Sequence, residues 1–346
     1  MEAQRKFYLD YLRVIATFSI VVIHVAAQNK YTVSVDSQMW KVFNIYDGLT
    51  RWAVSVFVMI SGVVFLKRDI PPCRMYSKYI LRMVVAFFFW SLLYAGFSCD
   101  RNVGVFISEF IHGHYHMWFI LMIIGLYICT PIIQKIVQDG FLLKYFLVLN
   151  MLFAVLFPFF STLITDFGNN IFVNGINAVN DSINSLNMKM VLGYAGIYVL
   201  GYILDQASIL QYRRYMLYVM GVLGVLTTII LDDLVSMRSG VSLSNYSIPL
   251  SLNVLVTSSA AFVFFKNLIN KSLRFDAYIR KLSRYCFGVY LIHPLIIEQI
   301  DNLFGINTLS FNTLFSVIIM SICVFILSMM VSLLLNSIPL FRKYIV

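Results

Sequence analysis

The polar and hydrophobic positions of this chain separate into long apolar blocks instead of alternating at a strand or surface-helix period. Ten blocks stand out: 9–27, 50–66, 79–97, 116–133, 143–163, 188–204, 215–231, 246–265, 285–300 and 311–335. Apolar runs of roughly 17–25 residues span the hydrocarbon core as helices, which satisfy their own backbone polar groups there. The pattern predicts an all-α fold, a polytopic membrane helical bundle of about ten transmembrane helices forming one domain over residues 1–346. The ninth block is the weakest, being short and interrupted by His293, Pro294 and Glu298. The first lacks a small-residue cleavage site and carries Asp10, Arg13 and His24, so it reads as a span, not a signal peptide. With no internal repeat and no soluble domain, any chemistry must use groups in the spans or the short loops.

Composition agrees and closes off other classes. Sixty per cent of residues are hydrophobic and only 12% charged, with a mean hydropathy of +0.83; soluble domains carry about a quarter charged residues. The five cysteines are scattered, without the spacing of a disulfide framework or a zinc site. The net charge of +10 does not call for nucleic acid, because basic residues collect in the cytoplasmic loops of membrane proteins. With the N-terminus inside, 19 lysines and arginines fall in cytoplasmic segments and six on the other side, with Arg13 in the first span. Both termini, and the loops 67–78, 205–214 and 266–284, are therefore expected in the cytoplasm.

Ionisable groups inside spans are costly and mark candidate sites. In the first block, "YLDYLRVIATFSIVVIH", Asp10 and Arg13 share a helical face. His24 follows Arg13 by nearly three turns on that face, about 16 Å further along the axis. A snorkelling arginine and a histidine bonded to a neighbouring helix would give the same pattern. In "FVMISGVVF", Ser61 and Gly62 permit close helix approach, and the segment from Phe57 leaves room for a ligand. The cluster "RMYSKYILR" is a positive-inside anchor or an anion site. His112, His114 and His116 alternate before the fourth block without the further ligands that a metal needs, so no metal site is expected. In "SRYCFGVYLIHPLII", Tyr290 and His293 lie three apart, and Pro294 removes a backbone hydrogen bond and can open a cavity. No G-x-S-x-G elbow, P-loop or H-E-x-x-H is present.

These segments, taken together and in order, resemble the acyltransferase 3 family of integral membrane O-acyltransferases. Within it the chain is similar to the short single-domain type exemplified by the O-acetyltransferase of enterobacterial common antigen. Arg13 and His24 match the family's arginine, ten residues and histidine; "RWAVSVFVMISGVVF" places Arg51, Phe57, Ser61 and Gly62. "YHMWFILMIIGLYICTPII" places His116, Trp118, Phe119, Tyr127 and Pro131, and the late segment places Tyr290 and His293. One departure is the family's frequent Arg-x-x-Arg pair, here replaced by Arg74, Lys78 and Arg82.

The resemblance implies a multi-pass enzyme of the bacterial cytoplasmic membrane. It would move an acetyl group from cytoplasmic acetyl-CoA to a hydroxyl of a cell-surface or lipid-linked carbohydrate, with no permanently bound cofactor. Coenzyme A is a polyanion, so Arg13, Arg74, Lys78 and Arg82, with Ser61, are the expected donor-binding residues, and the basic 266–284 loop is expected to join them at the donor entrance. His24 is the expected catalytic residue, as general base or as a transient acetyl carrier. Asp10, Arg51, Phe57, His116, Trp118, Tyr127, Tyr290 and His293 are expected to support it or to meet the acceptor. A transporter or flippase of a lipid-linked glycan would also carry intramembrane His and Arg, but the paired repeats of such proteins are missing. A non-catalytic assembly protein is the other alternative.

Overall fold

In the computed structural model, residues 6–68, 70–98, 103–186, 193–269 and 274–346 are described. Arg5, Arg101, Lys189, Lys271 and the start of the sixth block lie outside them. Every regular element among the described residues is helical. Seven helices are long and apolar enough to cross a membrane: Phe7–Lys30, Gln38–Leu66, Pro72–Phe97, Trp118–Gln138, Gly140–Phe167, Gln211–Ser239 and Thr313–Ser337. The three remaining blocks are helical in shorter or more polar form. Ala195–Gln206 has 12 residues, Leu252–Leu268 has 17, and Cys286–Phe304 carries Glu298 and Asp301 in its last turns.

The centre of the bundle is α1 (Phe7–Lys30). It packs against α2 (Gln38–Thr50) and α3 (Trp52–Leu66), which follow one another with only Arg51 between them. It also meets four late helices: α12 (Leu252–Leu268), α13 (Asp276–Ser283), α14 (Cys286–Phe304) and α15 (Thr313–Ser337). Leu12, Ala16 and Ile20 of α1 are buried with Val56, Ile60 and Val63 of α3 in one hydrophobic core. The block that begins at residue 50 is thus extended backwards by α2, whose Ser37 cap accepts the Trp40 N–H and whose Trp40 and Phe43 are fully buried.

The other elements surround this centre: α4 (Leu81–Ser98), α5 (Val103–His112), α6 (Trp118–Gln138), α7 (Gly140–Leu149), α8 (Phe157–Phe167), α9 (Asn170–Ser185), α10 (Ala195–Gln206), α11 (Gln211–Ser239) and α16 (Pro339–Tyr344). π-helical turns at Met75–Ile80 and Asn150–Leu156 lead into α4 and join α7 to α8. Close approach of α3 and α10 depends on two glycines. A Cβ on Gly62 would lie 1.8 Å from the Tyr198 carbonyl oxygen, and one on Gly201 would lie 2.3 Å from that of Met59. Gly62 therefore has the packing role that small residues take in membrane interfaces.

Candidate active site

A cavity of about 640 Å³ opens between α1, α3, α4, α6 and α14. Its position follows from how the polar stripe of α1 meets the other helices. Arg13 and Ile20, seven residues apart, both face it. The directions of the surrounding helices give the cavity two distinct ends. Asp10, one turn before Arg13, meets Ser283 at one end, while His24 meets His293 beyond the other. Helices α1 and α14 therefore run the same way along it. Helices α3 and α6 run oppositely, with Phe57 and Phe119 near Tyr290, and Phe65 packed on Tyr127.

The first end is basic. Arg13, Arg82, Arg284 and Arg342 line the cavity, and no Asp or Glu is among its lining residues. Arg13 has only a long ion pair with Asp10, 3.4 Å away; Asp10 is buried and accepts from Ser283 Oγ at 2.7 Å. Arg82 donates to the Val346 backbone oxygen at 2.6 Å and lies over the Phe287 ring. Its Nε is buried with no hydrogen-bond partner among the described residues. Between the ends the wall is apolar and aromatic, with Ser61 donating its hydroxyl to the Phe57 carbonyl at 3.1 Å.

Just past the other end, one turn beyond Ile20 and Tyr290, four of the chain's five histidines gather. The half-buried His24 ring lies 5.0 Å from that of His293, 5.2 Å from Tyr115 and 6.4 Å from His116, between centroids. His116 and His293 are almost wholly buried, and each has an Nε2 without a partner. The Nδ1 of His293 is 3.1 Å from the Val289 carbonyl. A carbonyl can only accept, so Nδ1 carries the proton and, in the neutral ring, Nε2 is left with a lone pair. Tyr290 supports the cluster from below by donating its hydroxyl to the His116 carbonyl at 2.5 Å.

Two local features hold these rings in place. Gly113 has φ of +73° just before the His114–His116 segment, a conformation suited to glycine, and a Cβ there would also meet the Phe87 ring at 2.9 Å. In α14, Pro294 has no N–H to bond the Tyr290 carbonyl, and the next step of the ladder is bridged by a side chain. Tyr94 Oη accepts from the Leu295 N–H at 3.2 Å and donates to the Leu291 carbonyl at 2.8 Å. The tyrosine hydroxyl thus stands in the ladder of the proline-containing turn that carries His293.

A family model described as an acyltransferase domain matches residues 6–336, nearly the whole chain. The chain belongs to the acyltransferase 3 family. No curated protein and no solved structure matches it. Membership makes this a membrane acyltransferase in kind, and the residues that carried the family resemblance can be placed one by one.

Among these acyltransferase motif positions, Arg13, Phe57, Ser61, Arg82, Tyr127 and Tyr290 line the cavity, while His24, His116 and His293 form the chamber beyond it. Others stand apart. Arg74 and Lys78 are exposed and absent from the cavity wall, with Lys78 resting over Tyr79. Trp118 is 42% exposed and packs on Tyr194, outside the cavity. Arg51 is joined to Asp47, with Nε 2.6 Å from Oδ1 and a hydrogen bond of 2.7 Å to Oδ2. The fully buried Lys30 meets the same carboxylate at 2.7 Å.

Tyr94, Tyr115, Arg342 and the Lys30–Asp47 pair were not singled out from the sequence. The i,i+4 spacing of Asp47 and Arg51 was a readable signal; Tyr94, within an unbroken apolar run, offered none. Among the described residues no group of three or more His, Cys, Asp or Glu side chains is arranged to hold a metal ion.

Proposed function

We propose that this acyltransferase transfers an acetyl group from cytoplasmic acetyl-CoA to a hydroxyl of a cell-surface or lipid-linked carbohydrate, across the inner membrane of a bacterium. The observation that carries the proposal is the cavity itself: an arginine end with no Asp or Glu among its lining residues, an apolar bore, and a cluster of histidines past the far end. Phosphates of coenzyme A would sit among Arg13, Arg82, Arg284 and Arg342, where guanidinium groups offer charge-assisted hydrogen bonds. The unpartnered Arg82 Nε is a donor free for such an anion. Exposed Arg74 and Lys78 would contribute only as attracting surface charge. The pantetheine arm would follow the apolar bore past Ser61 and Tyr127 and bring the thioester toward His24, about 16 Å along α1 from Arg13.

In this reading His24 takes the proton of the acceptor hydroxyl as its oxygen bonds to the thioester carbonyl carbon. The carbon–sulfur bond then breaks, and the proton passes from His24 to the departing thiolate. Neighbouring His293, with its Nε2 lone pair, would stabilise the imidazolium that forms on His24. The acceptor would approach from the side of Tyr115 and Trp118, both exposed.

Ten crossings with both termini cytoplasmic fit this reading. The first and ninth blocks (α1 and α14) run together along the cavity, and the second and fourth (α3 and α6) run against them, as strict alternation requires. The arginine end then faces the side to which the 19-to-6 charge asymmetry assigns the cytoplasm. Purified protein in bilayers, supplied with labelled acetyl-CoA and a panel of glycans, tests the function. Transfer of label to a glycan hydroxyl is expected. Transport of a glycan with no acetyl transfer would instead favour a flippase.

A further inference from the structure

Glu298, in the penultimate turn of α14, reaches His114 with Oε1 3.0 Å from Nε2. His114 in turn has its Nδ1 3.1 Å from Nδ1 of His116. The end residues differ in environment: the Glu298 side chain is 39% exposed, whereas His116 is 1% exposed, its Nε2 has no hydrogen-bond partner among the described residues, and the Leu291 carbonyl is a further acceptor beside the ring. Tyr94 lies parallel to the His114 ring, 4.2 Å away at 10°, so the plane of the middle imidazole is held as well as its edge.

With Glu298 ionised and His114 neutral, the protons in this chain follow by elimination. A carboxylate only accepts, so His114 carries its proton on Nε2. Neutral His114 then presents a lone pair at Nδ1, and the 3.1 Å contact needs a donor, so His116 carries its proton on Nδ1. The remaining nitrogen of His116, the buried Nε2, is left bare. His293 reaches the same condition by a different route, through its Val289 carbonyl.

We propose that Glu298 and His114 are positioning residues that set the tautomer of His116, leaving its Nε2 as a bare base in the chamber of His24 and His293. The inference rests on the acetyl-transfer reading for its consequence but not for the tautomer. With both Nε2 atoms unprotonated, a proton arriving on His24 is met by lone pairs on two neighbouring rings. The opposite tautomer would turn an N–H toward that chamber and oppose the charge. A carboxylate that reads out through two imidazoles also explains why a partly exposed glutamate is placed where the apolar block of α14 is interrupted.

The test reads the tautomer directly. Solid-state NMR of the full chain in bilayers, labelled with ¹⁵N in its five histidines, separates protonated from bare ring nitrogens. His116 is assigned from the signals lost in His116→Gln. Wild-type His116 is expected with Nδ1 protonated and Nε2 bare. Glu298→Ala and His114→Phe, the latter keeping a ring to stack on Tyr94, are expected to convert this to a mixture. Acetyl transfer should then fall about tenfold in kcat, as for one ordinary hydrogen bond, with both KM values kept. Glu298→Gln, whose amide oxygen still accepts from Nε2–H, should restore most of the rate and the tautomer. His116 protonated at Nε2 in the wild type, or an Nδ1 tautomer that survives both Glu298→Ala and His114→Phe, would overturn the proposal. The spectra need neither donor nor acceptor, so wild-type protein without acetyl transfer would remove the proposed function while leaving the tautomer chain standing.

Discussion

Two groups of basic residues mark the two ends of α1, and they are wired in opposite ways. At the start of the helix Arg13 faces a cavity with Arg82, Arg284 and Arg342, and no carboxylate lines it. At its last residue Lys30 is fully buried and shares the Asp47 carboxylate with Arg51, while Asn44 and Ser244 accept further bonds from its ammonium at 3.3 Å each. The first group is charge in excess, which an anion would complete. The second is charge already closed, in which removing Asp47 would leave both cations without their carboxylate. Identical residue types therefore divide into ligand-seeking and structural cations by their partners alone. Arg51, placed in the site by family resemblance, has the geometry of the second kind.

The largest effect expected at the site is that of His24→Ala. Losing a general base costs about 10²–10⁴ in rate, and losing a covalent acetyl carrier would cost more. The variant should insert, fold and still bind acetyl-CoA, because the arginine end lies about 16 Å away along α1. Isothermal titration with donor and a transfer assay separate the two properties. A folded His24→Ala protein with near-normal transfer would move the chemistry to His293 and break the division between a binding end and a reacting end.

Asp47→Ala should come next, with its main effect on stability, although its carboxylate also lies within electrostatic reach of His24. Removing one partner of a buried ion pair destabilises by about 3–5 kcal/mol, because the remaining charges stay buried. Here two cations, Lys30 and Arg51, would be left without their carboxylate. A thermal melt in detergent should fall clearly, while the folded fraction keeps its donor affinity. A melt equal to wild type would show that the closed network is not structural, and Arg51 would return to the candidate site.

Arg82→Ala sharpens the other half of the comparison. Hydrogen bonds to charged groups contribute about 1.5–3 kcal/mol, so the KM for acetyl-CoA should rise roughly tenfold or more with a smaller change in kcat. Because Arg82 is partly buried over Phe287, the deficit should persist at high salt, where exposed charges are screened. Unchanged donor affinity would remove the basic end from the site.

The parts of this arrangement legible in the sequence were those written along one helix. Arg13 and His24 share a face by period alone; Arg13 lines the cavity and His24 meets His293 beyond it. The apolar blocks fixed the helical class, since only length and hydrophobicity are needed for that. What sequence could not supply were contacts between helices far apart in the chain. Tyr94 reaches the Pro294 turn across some 200 positions, and no local signal distinguishes it from other aromatic residues of its block. The reading of Arg74, Lys78 and Arg82 as one cluster met the same obstacle. Their spacing suggests a shared face, but only Arg82 lies deep enough to meet α14 and the cavity.

That last contrast gives the smallest expected effect. Arg74 and Lys78 are exposed, so whatever they add to donor capture acts through water and through salt. Exposed charges interact over a Debye length of about 8–10 Å near physiological ionic strength, and less as salt rises. Arg74→Ala and Lys78→Ala should therefore raise the KM for acetyl-CoA by no more than about twofold at low salt. At high salt the difference from wild type should vanish, unlike that of Arg82→Ala. The salt dependence is the decisive reading, since a twofold change alone would fit several causes. If either variant instead matched Arg82→Ala in size and kept its deficit at high salt, that side chain must reach bound donor directly. The mouth of the cavity would then extend onto the Met75–Ile80 turn, and the boundary between surface charge and site would have to be drawn further out.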